Sequence, residues 1–148
     1  MSQKHMREKG TFHNPQIPKT LRSAILIIGG GPAGMAAAIS AKRSNSKLDV
    51  VLIEKNEIMG RKLRATGNGR CNITNVNAEG YSEVISFLSS LGIVTKSNEN
   101  GFLYPVSESA ADVSELLELR LNQLGVKVFT GVTALRSEEH TSELQSPP

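Results

Sequence analysis

The stretch Ala24-Ile25-Leu26-Ile27-Ile28-Gly29-Gly30-Gly31-Pro32-Ala33-Gly34 decides the fold. Ala24–Ile28 is a continuous apolar run, preceded by Arg22 and running straight into glycine. Such a run suits a strand buried on both faces of a parallel sheet. Gly34–Arg43 is rich in Ala and holds no internal breaker, which predicts a helix lying close on that sheet. Ser44–Lys47 is a polar turn, and Val50–Ile53 is a second buried strand that ends at Glu54. Strand, glycine turn, helix and strand form a βαβ unit. The same residues imitate a signal or membrane segment, because Ala24–Ala41 carries no charge. Gly29–Pro32 breaks that segment in its middle, and its length lies at the lower limit for a span.

Gly29, Gly31 and Gly34 fit the pattern G-x-G-x-x-G. The pattern alone is weak, because glycine is common. Its setting adds weight: a strand before it, a helix after it, and an acid, Glu54, 20 residues beyond Gly34. Gly29 permits a tight turn out of the strand. Gly31 lets the backbone approach a pyrophosphate with no Cβ in the way, and Gly34 lets the helix pack closely. Pro32 suits a helix start, where its missing N–H is not needed. Ala33 and its neighbours turn free N–H groups and the helix dipole towards an anion. Glu54 ends the second strand, where its carboxylate can accept both ribose hydroxyls. An acid there disfavours a 2′-phosphate, so FAD or NAD is expected over NADP.

Residues 55–80 are rich in Gly, Asn, Arg and Lys and show neither apolar period. A long loop of this kind in a compact domain is usually functional. Gly60, Gly67 and Gly69 offer backbone conformations that bring N–H groups to a ligand. Lys55, Arg61, Lys62, Arg64 and Arg70 place cations beside the proposed phosphate site, and arginine matches phosphate oxygens bidentately. Thr66, Asn68, Asn72 and Thr74 supply neutral donors and acceptors suited to a polar ring system.

Further on, Tyr81, Val84, Ile85, Leu88 and Leu91 define a helix with one apolar face, closed by Gly92. Asn98-Glu99-Asn100-Gly101 reads as a hairpin turn before a short strand at Phe102–Tyr104. Ser109–Asp112 is a capped helix start. Val113, Leu116, Leu117, Leu121 and Leu124 mark that helix's apolar face, and Gly125 ends it. Val126–Thr130 is a third β run. The expected class is therefore α/β, with a parallel sheet around a dinucleotide-binding βαβ motif.

The chain has 148 residues and a net charge of +3. The charge is uneven. Residues 1–23 hold Lys4, Arg7, Lys9, Lys19 and Arg22 against Glu8. Residues 24–135 hold 11 basic and 10 acidic residues, so no basic face for nucleic acid is expected there. Residues 1–23 show no apolar period and read as a disordered leader. At the other end, Arg136-Ser137-Glu138-Glu139-His140-Thr141-Ser142-Glu143-Leu144-Gln145-Ser146 resembles the in-frame translation of a common sequencing-library adapter. Residues 136–148 are thus read as a non-native tail. A doubly wound sheet normally needs five or six strands, and three are legible here, so a truncated domain over residues 24–135 is expected.

Together, the glycine motif, Glu54 and Gly60-Arg61-Lys62-Leu63-Arg64-Ala65-Thr66-Gly67-Asn68-Gly69-Arg70-Cys71-Asn72-Ile73-Thr74-Asn75 resemble the BaiN/RdsA-type flavoproteins. These are bacterial FAD-dependent oxidoreductases, also described as NAD(P)/FAD-dependent or aminoacetone-oxidase-like. The resemblance continues through Gly101–Ser107 and Ala110–Val113 and covers about residues 24–135. It implies a Rossmann-like FAD-binding domain. Gly29–Gly34 and Glu54 would bind the ADP half of FAD. Arg61, Lys62 and the Thr66–Asn72 loop, with Gly67, Gly69, Arg70, Cys71 and Asn72, would lie along the pyrophosphate and towards the flavin. It also implies NAD(P)H as reductant of a longer protein, a small-molecule substrate and a cytoplasmic setting. Members of that family carry further segments, so this chain alone is expected to be inactive.

Cys71 is the single cysteine and has no C-x-x-C partner, so it reads as a packed thiol rather than a disulfide reagent. His5, His13 and His140 lie outside the central segment, so neither a His-based metal site nor a catalytic histidine is expected within it. No catalytic side chain is legible. Two alternatives stand beside this reading: a fragment of an FAD-dependent RNA-modifying protein, because the leader is basic, and a truncated product with no function. Neither nucleic acid nor membrane is expected as a partner.

Overall fold

The computed structural model describes residues 18–135. The expected tail at 136–148, and all of the expected leader before residue 18, lie outside the described residues.

Three parallel strands form the main sheet: β1 (Ile25–Ile28), β2 (Val50–Glu54) and β6 (Lys127–Thr130), in the order β1-β2-β6. The register pairs Ile25 with Val50 through Ile28 with Ile53, and Val51 with Lys127 through Glu54 with Thr130. Helix α1 (Pro32–Ser44) connects β1 to β2, and α4 (Ala110–Gln123) precedes β6. The α/β expectation and its βαβ unit are therefore met. Met35, Ala38 and Ile39 of α1 meet Val113, Leu117 and Leu121 of α4 and Val50, Leu52 and Val128 of the sheet in one buried cluster. Side chains three and four apart on a helix share a face, which is how both helices supply this core.

The reading of β1 as buried on both faces is corrected. Leu26 is 53% exposed and Ile28 60% exposed, while Ile25 and Ile27 pack against the core. β1 is an edge strand among the described residues, and alternate side chains of a strand point to opposite faces. A continuous apolar run does not reveal which face is covered.

The stretch 55–80, read without periodicity, contains short elements: α2 (Arg61–Ala65), a 3₁₀ turn at Thr66–Gly69 and β3 (Thr74–Asn75). Helix α3 (Tyr81–Ser90) follows, then β4 (Thr95–Ser97) and β5 (Phe102–Pro105). β3, β5 and β4 form a second, antiparallel sheet with β5 in the centre. Its hairpin turn is the expected one: the Asn98 side chain accepts the N–H groups of Asn100 and Phe102, and Gly101 takes φ 77°. Ser109 caps α4 by accepting the Asp112 N–H at 3.2 Å.

Candidate functional site

The glycine turn is fixed by its backbone. Gly29 has φ 109°, a region that side chains rarely adopt, and its N–H donates to the Ile53 carbonyl at 2.8 Å. A Cβ on Gly34 would fall on the Gly29 carbonyl oxygen, so the helix can approach the turn only because residue 34 is glycine. Above Gly31 the space is open: a Cβ there would meet nothing within 4 Å. The three glycines thus do three different things: Gly29 takes a positive φ, Gly34 admits the helix, and Gly31, with ordinary φ, borders open space. Gly31 caps α1 and Pro32 opens it, so the N–H groups of Gly31, Ala33 and Gly34 are those a helix start leaves without an intrahelical partner.

Glu54 sits at the end of β2, 8% exposed. Its Oε2 accepts the Gly30 N–H at 2.6 Å. Its Oε1 accepts the Asn56 N–H at 2.8 Å and also the Asn56 side-chain amide. Burial opposes ionisation of this carboxyl. The Asn56 and Gly30 N–H groups, the Asn56 amide and the charge of Lys55 outweigh it and hold the pKa below the ordinary carboxylate value. Glu54 is therefore an anion near neutral pH. Sequence reasoning placed it beside a ribose but missed its bond to the turn, because Gly30 carries no side chain that could signal one.

The basic segment divides. Arg61 and Lys62 are exposed and form no ion pair among the described residues, although Arg61 Nη1 lies 3.4 Å from the Asn56 side-chain oxygen. Both line a cavity of about 620 Å³ with Gly30, Gly31, Pro32, Glu54, Lys55 and Gly60. Arg64 turns away to Glu118 at 3.3 Å. Arg70 lies with its guanidinium 5.0 Å from the centre of the Tyr104 ring, and its Nε donates to Gly67 O at 3.4 Å.

A second cavity, of about 610 Å³, adjoins the first: Pro32 and Lys62 line both. Its walls are mostly apolar, from Ala33 and Ala36 of α1, Leu63 of α2, Val84, Phe87 and Leu88 of α3, and Val113 and Leu117 of α4. Thr66, Cys71 and Asn72 complete it. Cys71 is fully buried with φ 64°, and burial pushes its thiol pKa up, against a hydrogen bond with Thr66. That environment suits a packed thiol. Of the expected residues, Gly31, Pro32, Ala33, Glu54, Lys55, Gly60, Arg61, Lys62, Thr66, Cys71 and Asn72 line these two cavities. Gly29, Gly34, Gly67, Gly69 and Arg70 do not line either of them. Sequence reasoning missed the apolar wall from α3 and α4, whose residues read only as helix core.

Vacant space over Gly31, two exposed cations and a buried carboxylate at the strand end define a dinucleotide-binding Rossmann unit. Comparison with known proteins agrees. Residues 23–82 match the family described as the HI0933-like protein Rossmann domain. Over 125 residues the chain is 43% identical to the 3-dehydro-bile acid delta(4,6)-reductase of Clostridium scindens, covering 72% of this chain and 30% of that protein. The crystal structure of Thermovibrio ammonificans THI4 superposes with a TM-score of 0.61 at 21% identity, over 76% of this chain and 39% of that one. The likeness to THI4 supports the fold. The other two findings bear out the resemblance to BaiN/RdsA-type flavoproteins, and the chain spans about 30% of the length of the curated relative it matches. No helix among the described residues is long and apolar enough to cross a membrane.

Proposed function

We propose that this chain is the FAD-binding portion of a flavin-dependent oxidoreductase. One observation carries the reading: a polar cavity lined by Glu54, Arg61 and Lys62 adjoins an apolar one, with Pro32 and Lys62 lining both. FAD has the same division, with an anionic ADP half and a flat ring system. Gly31, Ala33 and Gly34 would offer N–H groups to the pyrophosphate, and Arg61 and Lys62 would balance its charge. Glu54 would accept the ribose, with a hydroxyl replacing the Asn56 amide on Oε1. Thr66 and Asn72 would bond the edge of the ring, while the α3 and α4 side chains exclude water. Bound there, FAD supplies the hydride or electron transfer, and the chain holds and orients it.

The relative's name describes a reductase of a bile acid. For the intact protein we propose the same reaction class, reduction of a small molecule, with NAD(P)H as donor and in the cytoplasm. The 148-residue chain alone is proposed to bind FAD without turnover. Titrating the purified chain into FAD and following flavin fluorescence tests the central point. Saturable quenching that ADP competes away supports it; no quenching at any protein concentration removes it.

A further inference from the structure

Gly30 lies between Gly29 and Gly31 and has both of its backbone groups engaged. Its N–H donates to Glu54 Oε2 at 2.6 Å. Its carbonyl accepts the Gly60 N–H at 2.8 Å. Gly60, at φ 66°, is the residue from which α2 starts, and Arg61 and Lys62 follow it directly. A Cβ on Gly30 would lie 2.8 Å from Met59 Cγ and 3.0 Å from Glu54 Cβ, so the turn is pressed onto both neighbours. One short chain of bonds thus runs from the acid at the end of β2, through the turn, to the cations at the start of α2.

We propose that Glu54 is a positioning residue for the phosphate-binding loop, fixing Gly30 and, through it, Gly60 and the Arg61–Lys62 pair. Recognition of a sugar hydroxyl and of a diphosphate are then coupled through one carboxylate. The ligand side of this inference rests on the FAD reading; the positioning side does not. A carboxylate acting on a ribose alone has no effect on a ligand without a ribose. Its negative charge would even weaken the binding of a bare anion. Positioning has the opposite sign: loss of the Gly30 bond loosens the loop and weakens anion binding.

The experiment uses the 148-residue chain, its Glu54→Asp and Glu54→Gln variants, and three probes: FAD, ADP and inorganic pyrophosphate. Aspartate keeps the charge but is one methylene too short to hold Gly30 N–H with the same geometry. Calorimetric titration is expected to give about tenfold weaker pyrophosphate binding in Glu54→Asp, as for the loss of one charge-assisted hydrogen bond. Wild-type pyrophosphate affinity in Glu54→Asp, with ADP affinity reduced, overturns the proposal and leaves Glu54 a ribose contact. Amide hydrogen exchange on the ligand-free chains decides the matter independently. Faster exchange at Gly30 and Gly60 in Glu54→Asp supports positioning, and unchanged exchange overturns it. If the wild-type chain binds none of the probes, the FAD reading fails, and the exchange result still judges the role of Glu54. If Glu54→Gln does not fold, Glu54→Asp carries both measurements.

Discussion

Two segments, 29–34 and 60–66, contribute walls to the polar cavity and are held by different means. The wall at 29–34 is fixed by main-chain geometry: a positive φ at Gly29, a bond from Gly29 to Ile53, and a helix resting on the Gly29 carbonyl. The wall at 60–66 meets the first through one main-chain bond, Gly60 N–H to the Gly30 carbonyl, and is otherwise fixed by side chains. Leu63 is buried, the Thr66 hydroxyl donates to the Leu63 carbonyl at 2.7 Å, and Arg64 reaches Glu118, which also accepts from Ser114. The first wall depends on the absence of side chains and the second on their presence. The main-chain wall tolerates no added atom at Gly34, and its charged tie is the Glu54 carboxylate on the Gly30 N–H. A side-chain wall responds to truncation and to pH.

The sharpest way to break this contrast is Gly34→Ala. Its methyl would fall on the Gly29 carbonyl, and neither backbone can yield without moving β1 or α1. We expect a loss of about 3 kcal/mol or more in urea denaturation. A loss below about 1 kcal/mol would show that the turn is softer than described.

Gly60→Ala comes next. It imposes a side chain at φ 66° and brings a methyl against the buried Ser114 hydroxyl. A loss of about 2 kcal/mol is expected from strain and clash together. Combining it with Ser114→Ala should recover the clash but not the strain, so the two changes will add to less than their sum.

The double change Arg61→Ala with Lys62→Ala tests the cavity rather than the fold. FAD affinity should fall between about tenfold and a hundredfold, with the melting temperature nearly unchanged. Retention of full affinity would place the diphosphate elsewhere.

The carboxylates give smaller effects of opposite sign. A carboxyl held below its unfolded value, about 4.3, stabilises the fold above that pH. For Glu54 this contribution is lost as pH falls through the lowered folded value, and Glu54→Gln should lose that part of the acid sensitivity. Glu118 behaves in reverse. Burial pushes its pKa up, although Arg64 and Ser114 pull it down. The ionised form therefore opposes folding, and its contribution improves as pH falls through the raised value. Glu118→Gln should remove that slope and change stability at neutral pH by less than about 1 kcal/mol. Thermal melts between pH 3 and 8 separate the two.

The same contrast explains what could be read from the sequence. The wall at 29–34 was legible residue by residue, because glycine positions report backbone geometry directly. The capped start at Ser109 and the turn at Asn98–Gly101 were legible for the same reason: each is local chemistry. The segment 60–72 was legible as a basic loop but not as a sorted one. Arg61, Lys62, Arg64 and Arg70 look alike in sequence, yet Glu118 and Tyr104, far along the chain, remove two of them from the cavity. Helix α2 is five residues long, too short to show a period, and β3 is two. Cys71 takes positive φ, and nothing in its identity announced that, whereas Asn68, also at positive φ, is a residue type that tolerates the left-handed region. The exposure of Leu26 and Ile28 was hidden for a global reason, since a strand's place in a sheet is set by its neighbours.

That exposure bears on how the protein behaves at high concentration. β1 presents Ile25-Leu26-Ile27-Ile28, an uncharged stretch of high β-propensity, at a sheet edge among the described residues. Edge strands of this composition template pairing between molecules, and flanking charge restrains it. Lys19 and Arg22, just ahead of β1, are placed to act as such gatekeepers, and both are cations. Their restraint is electrostatic and weakens as salt shortens the Debye length. Salt should therefore promote self-association of this chain, through the strand that begins its fold.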